Sequence, residues 1–213
     1  AIPAVIPAPG PAHSAAKHLP SGTYRLRFSR AETEVLEHRS HELEVSVTTL
    51  VLYAYGNALL HLLGADKLCF ESVVSGRSNP IPGLADTVGC LVSSVPVRIS
   101  TTDSVKDFMR SCILADRYSC LPRKRIMQAA FGTEEVLPMA PHIDSLLFPE
   151  RSAIQRAAPL YALDYSVFPE GNFLWKSEGE LRLCLHFDPQ QYDPAFTERL
   201  VTWMEAELRS RIR

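Results

Sequence analysis

The chain has 213 residues, a formal net charge of −2 and 46% hydrophobic residues, an ordinary globular composition with length enough to bury a core. The near-neutral balance speaks against nucleic acid as the partner, because that needs a basic face. No apolar run reaches the ~18 residues of a membrane-spanning helix, so no membrane partner is expected. The N-terminal AIPAVIPAPGPAHSAAKH lacks the basic start and unbroken apolar stretch of a secretory leader, and residues 1–20 read as a Pro/Ala-rich linker. Nothing within 21–213 divides that stretch into domains. The five cysteines, Cys69, Cys90, Cys112, Cys120 and Cys184, are odd in number and form no CxxC pair. Free thiols in a reducing, cytoplasmic compartment are expected, rather than a disulfide framework or a zinc site.

In chain order, Thr23 to Phe28 alternates as a half-buried strand, and Ser29 with Glu32 forms a capping box that opens a helix. Ser46 starts a second helix, whose apolar face runs from Val47 through Leu50, Ala54 and Ala58 to Leu62, and Gly64 ends it. Lys67 to Val74 reads as a buried strand and Leu91 to Ile99 as the next. Thr102 or Asp103 is expected to cap a helix to about Tyr118; Pro122 breaks it, and a short helix follows over Lys124 to Phe131. Ile143 to Phe148 and Leu160 to Phe168 read as strands, and Asn172 to Lys176 with Glu180 to Phe187 as a hairpin around Ser177-Glu178-Gly179. Asp193 followed by Pro194 starts a last helix with Phe196, Leu200, Val201, Trp203, Met204 and Leu208 as its buried stripe. The fold class is α/β: a mixed sheet flanked by helices.

Few of the polar residues assemble into recognisable chemistry. His38 and His41 share a helix face, but two imidazoles without a third ligand make a poor metal site. Ser40-His41 with Glu44 has the look of a histidine base with an acid nearby, yet it lies between helices, and a solvated surface is the simpler reading. His61 and His186 are expected to be structural, and His142 is given no role. No GxSxG, P-loop or GxGxxG motif is present, so hydrolase and nucleotide readings lack their usual supports. Arg123, Lys124 and Arg125 form a basic run that reads as a solvated face or as a docking spot for an acidic partner.

The stretch from Ser75 to Arg98, SGRSNPIPGLADTVGCLVSSVPVR, carries the specific signal. Loops of this length inside compact domains are uncommon and often functional. Gly76 lies where a strand must turn away at once, so a positive φ is expected there. Arg98 closes an apolar strand and is expected to be paired and partly buried, its loss then costing about 2–4 kcal/mol.

These residues resemble the C-terminal lobe of the condensation domains of nonribosomal peptide synthetases. That family carries a Ser-Gly-Arg turn after a buried strand, matched here by Ser75, Gly76 and Arg77. Pro82-Gly83 precede a second part in which Gly89 to Arg98 stands for the motif Gly-Pro-Phe-Val-Asn-Thr-x-x-x-Arg, with Cys90-Leu91 in place of Pro-Phe and Ser93-Ser94 in place of Asn-Thr. The resemblance spans nearly everything from about residue 20 and implies one lobe of the CoA-dependent acyltransferase fold, with 1–20 as an inter-lobe linker and 21–213 as the C-terminal lobe. It implies that the complete domain joins an acyl or peptidyl thioester on one carrier protein to an amine or hydroxyl on another. The phosphopantetheine arms of donor and acceptor carriers would be tethered substrates, with no directly bound cofactor. The N-terminal lobe would be a partner, since the family's His-His-x-x-x-Asp-Gly motif is absent here and no catalytic residue is expected in this chain. Ser75, Gly76, Arg77, Gly89, Ser93, Ser94 and Arg98 would line or shape the substrate tunnel, and Arg123, Lys124 and Arg125 would help dock a carrier. Two other readings are a degenerate, non-catalytic module that recruits a carrier or another partner, and a lobe of a relative that uses free coenzyme A.

Overall fold

Serine caps open three of the five described helices. In the computed structural model, which describes residues 2–8, 22–77, 80–89, 91–132, 143–145 and 172–212, the chain forms two sheets flanked by helices. The elements are β1 (Ile2–Pro3), β2 (Thr23–Phe28), α1 (Arg30–Glu42), α2 (Val47–Leu63), β3 (Lys67–Val74), β4 (Ser93–Ser100), α3 (Val105–Arg117), α4 (Arg123–Phe131), β5 (Asp144–Ser145), β6 (Phe173–Ser177), β7 (Glu180–His186) and α5 (Pro194–Ser210). No single described helix is long and apolar enough to cross a membrane.

The capping box of α1 is present: the Glu32 N–H donates to Ser29 Oγ (3.3 Å), and the Ser29 N–H donates to the Glu32 carboxylate (2.8 Å). Ser46 caps α2, which stops at Gly64 in the left-handed region. The cap of α3 is Ser104, not Thr102 or Asp103. The Asp103 carboxylate is taken by the Ser100 N–H (2.9 Å), which closes the preceding turn, and Ser104 forms a capping box with Asp107 instead.

One sheet has the order β1-β3-β4, with β1 parallel to β3 and β4 antiparallel to it from Lys67↔Ser100 to Val74↔Ser93. Residues 2–8, inside the stretch read as a linker, thus begin as a strand, and Ala4 and Ile6 are buried. β4 begins at Ser93 rather than Leu91 because β3 has no residue beyond Val74 to pair with. The other sheet has the order β2-β7-β6-β5. Its hairpin turns through Glu178 (φ 54°) and Gly179 (φ 83°), two consecutive left-handed residues whose twist suits a tight two-residue turn. Of the expected strand Ile143 to Phe148, the described part pairs at Asp144 and Ser145. Leu160 to Phe168 lies outside the described residues.

Helix α2 packs against β3 and β4 on one side and against α5. Tyr55 meets Phe70 of β3 edge-on at 5.4 Å, and Phe70 stacks with Phe108 of α3 at 6.1 Å. Phe196, Leu200, Val201, Met204 and Leu208 of α5 are buried as expected. Trp203 departs from that stripe: it is half-buried and stacks on the exposed ring of His61 at 5.0 Å, across the α2–α5 contact.

Thr33, 1% exposed, joins α1 to both strands at the Phe28–Leu181 end of the β2–β7 pairing. Its hydroxyl lies 2.8 Å from the Ser29 carbonyl and 3.2 Å from that of Phe28, and it accepts the Leu181 N–H at 2.9 Å. Thr33→Val keeps the shape and strands that buried N–H, a loss of about 1–3 kcal/mol. The expected outcome is a lower denaturant midpoint with an unchanged slope; an unchanged midpoint would refute the role.

Candidate functional site

The connection between β3 and β4 is organised by two adjacent residues. Gly76 has φ 69°, and a Cβ placed on it would lie 2.1 Å from the Leu91 carbonyl oxygen. The position therefore excludes every other residue twice, by backbone angle and by space. Arg77 follows with its N–H donated to Ser75 Oγ (3.2 Å). Its guanidinium gathers three main-chain carbonyls: those of Leu84 (3.2 Å) and Thr87 (2.7 Å) at Nη1, and that of Gly89 (3.0 Å) at Nη2. A planar fork with several fixed donors suits such convergence; a lysine ammonium does not. The 3₁₀ turn at Leu84–Asp86 completes the cage, with the Thr87 hydroxyl donating to the Gly83 carbonyl (2.9 Å). The cage leaves Ile81, Val88 and Val92 pointing outward, Val88 being 99% exposed.

Ser75, Gly76, Arg77 and Gly89 thus come together in one small structure. Ser93 and Ser94 lie beside it, paired with Val74 and Val73 at the start of β4. Arg98 does not join them. It lies further along β4 opposite Cys69, its side chain is 54% exposed, and its Nη2 is 3.7 Å from Asp103. The expected partly buried, tightly paired arginine is absent because outward-facing alternation puts it on the solvent side of β4. Lys124 and Arg125 are exposed in the first turn of α4, and Arg125 lines the same groove as Arg98. The carbonyls of Leu84 and Thr87 were not foreseeable as site groups, since main-chain acceptors leave no signature in residue identity.

A second concavity of about 570 Å³ lies between the α1–α2 corner and α3, and His41, Glu44 and Cys112 share it. Glu44 is ion-paired with Lys106, and burial pushes the Cys112 thiol up to about 12. A thiol so raised is a poor nucleophile at neutral pH. Burial likewise raises Cys69 to about 11. Among the described residues no group of three His, Cys, Asp or Glu side chains is placed to hold a metal ion.

The family model for the condensation domain matches residues 3–115, more than half of the chain. The chain belongs to the condensation-domain family. Among its relatives, a component of the plipastatin synthase of Bacillus subtilis is 26% identical over 189 residues, covering 79% of this chain and 5% of that protein. Nonribosomal peptide synthetase sidD of Aspergillus fumigatus is 26% identical over 175 residues, covering 75% of this chain and 8% of that one. The EpoB cyclization-docking bidomain of Sorangium cellulosum superposes with a TM-score of 0.68 at 15% identity, over 100% of this chain and 46% of that one. A structure of a condensation domain that mediates chain release from the enacyloxin polyketide synthase gives 0.61 at 19% identity, over 89% and 40%. At these identities the superpositions establish the fold, and the mixed α/β architecture expected from the sequence is that of condensation domains. The chain spans less than half of the two solved chains and a small part of the two synthetases.

The exposure of Arg98 changes what its removal does. For a solvated pair at 3.7 Å, Arg98→Ala is expected to shift stability by less than about 1 kcal/mol. A loss of several kcal/mol in a denaturant titration would show that the guanidinium is held more tightly than its geometry indicates.

Proposed function

We propose that residues 21–213 form the C-terminal lobe of a condensation domain that joins a carrier-bound acyl or peptidyl thioester to a carrier-bound or free nucleophile. In that reaction the nucleophile's nitrogen or oxygen attacks the thioester carbon, an amide or ester bond forms, the C–S bond breaks, and the thiol of the phosphopantetheine arm leaves. The observation that carries the reading is the family match together with the Arg77 cage, which places a shaped segment between two paired strands. No side chain of this chain is assigned the base. The family's His-His-x-x-x-Asp-Gly motif is absent here, and an N-terminal lobe carrying it would supply the histidine that assists or positions the nucleophile.

This lobe's contribution is orientation. A wall that holds two tethered reactants in line removes much of the entropic barrier to their meeting. The caged segment, with Ser93 and Ser94 beside it, is the part of the lobe we assign to that wall. Serine in place of the family's Asn-Thr keeps a hydrogen-bonding group at each position with a different reach. The exposed Lys124 and Arg125, with Arg123 next to them in sequence, belong to the proposed docking surface for an acidic carrier. The cytoplasm, where carrier-loaded synthetases work, is the proposed location.

Two variants test the assignment in a reunited two-lobe domain. Gly76→Val has no space beneath Leu91 and must displace the arm, at a strain of about 1–3 kcal/mol. Arg77→Lys keeps the charge and loses the fork. Both are expected to lower the condensation rate at least about tenfold, as followed by mass spectrometry of loaded carriers, with cooperative unfolding retained. Normal turnover in both variants would remove the wall from the mechanism. Product above background from this chain alone would overturn the division of labour between lobes.

A further inference from the structure

The face of the β2–β7 pair turned away from the core carries a cluster of charge that the proposed reaction does not use. Leu26 and Phe28 of β2 and Leu181, Leu183 and Leu185 of β7 are buried in the core. By strand alternation Arg25 and Arg27 project from the other side, and so do Glu180, Arg182 and Cys184. The register sets Arg27 opposite Arg182 and Arg25 opposite Cys184. Three guanidinium groups thus arise from neighbouring positions of one small patch, with the buried Cys184 at its fourth corner.

Like charges directly opposite each other, with Cβ atoms about 5 Å apart, destabilise a strand pair. Glu180 offsets part of this repulsion: its carboxylate accepts Arg27 Nε and Nη2 (2.7 Å each) and Arg182 Nη2 (3.1 Å). Glu178, in the hairpin turn, attracts Arg27 as well. The compensation therefore lies at the hairpin end of the patch. At the other end, Arg25 has no carboxylate partner among the described residues, and Arg182 Nε is buried without a hydrogen bond. Burial raises the pKa of the Cys184 thiol and the charge of Arg25 opposes that rise, so the Arg25 head group lies toward the patch and not away from it.

A buried donor without an acceptor, beside positive charge without a counter-charge, calls for an anion from outside. Arginine forks pair best with carboxylate and phosphate, each of which takes two parallel N–H···O bonds. A carboxylate has two oxygens and is filled by one fork. A phosphoryl group presents three or more oxygens in different directions, so forks from two strands can engage it at once. We infer that this patch is a binding site for a phosphoryl anion, with Arg25 and Arg182 as its donors and Arg27 adding charge alongside. The patch lies on the sheet that does not contain β4 and shares no residue with the Arg77 cage or with the basic run of α4. The inference therefore holds whichever reaction the domain performs.

The test titrates the 213-residue chain at low ionic strength with pyrophosphate, glycerol 3-phosphate and acetate in a calorimeter, with circular dichroism as the check on folding. At least one of the two phosphoryl ligands is expected to bind with Kd below about 1 mM and at least about tenfold tighter than acetate. Pyrophosphate ahead of glycerol 3-phosphate would identify a free diphosphate as the ligand class, and the reverse order a phosphate ester. Arg25→Gln and Arg182→Gln are each expected to weaken binding at least about fivefold with an unchanged spectrum. Arg25 is exposed, so its replacement tests the site even where that of Arg182 disturbs the strand pair. Arg110→Gln, on α3, is expected to leave binding as it was. Absence of binding by both phosphoryl ligands, equal affinity for acetate, or indifference to Arg25→Gln would each overturn the inference. So would an equal loss with Arg110→Gln, which would reduce the effect to overall charge, or tighter binding of a glutamate-rich peptide, which would make the patch a protein interface.

Discussion

The close approach of the Leu91 carbonyl to the α-carbon of Gly76 is the constraint on which the site depends. A Cβ cannot exist in that space, and the positive φ turns the chain out of β3 immediately after its last paired residue. Because the turn is made in one residue, Arg77 falls within reach of carbonyls seven, ten and twelve residues further on. One guanidinium then does for this segment what a ladder of main-chain bonds does for a sheet: it satisfies several carbonyls at once. The apolar tip at Val88 and its neighbours is presented to the outside as a consequence.

That arrangement sits on a frame assembled from different forces. The β1-β3-β4 sheet is held against α2 and α3 by aromatic contacts through Tyr55, Phe70 and Phe108. Gly56 permits α2 to lie close to the strands, since a Cβ there would press on Ile99 and Phe70. The other sheet is joined to α1 by the hydroxyl of Thr33 and to α5 by Arg209, whose guanidinium bonds Glu205, Glu32 and the Arg27 carbonyl while lying over the ring of Phe28. Both sheets share one apolar core, to which β2, β6 and β7 contribute Leu26, Phe28, Leu174, Leu181, Leu183 and Leu185, and the polar contacts of Thr33 and Arg209 add to that packing.

Several features were legible in residue identity alone. The capping box at Ser29 and Glu32, the stop at Gly64, the hairpin turn at Glu178-Gly179 and the Asp193-Pro194 start all depend on hydrogen bonds and backbone angles within a few residues, so the local sequence specifies them. The Ser-Gly-Arg turn and the spacing to Gly89 pointed to the condensation-domain family for the same reason, because the turn needs those residues wherever it occurs. Where two local solutions compete, the sequence is ambiguous. Thr102, Asp103 and Ser104 can each cap a helix, and the choice of Ser104 follows from Asp103 being occupied by the Ser100 N–H.

The tertiary structure alone decided the rest. Trp203 lies on the apolar side of α5 in any helical projection, yet it stacks on His61 at the rim because α2 ends beside it. Arg98 reads as a buried partner from its apolar neighbours and is exposed because the alternation of β4 turns its side chain to solvent. The carbonyl cage of Arg77 and the groove shared by Arg98 and Arg125 unite groups distant in the chain, and the cage's acceptors are main-chain atoms that every residue possesses. Short-range chemistry is written in side-chain identity. Which carbonyls converge and which side chains face solvent depend on how the elements pack, and packing is a property of the whole chain.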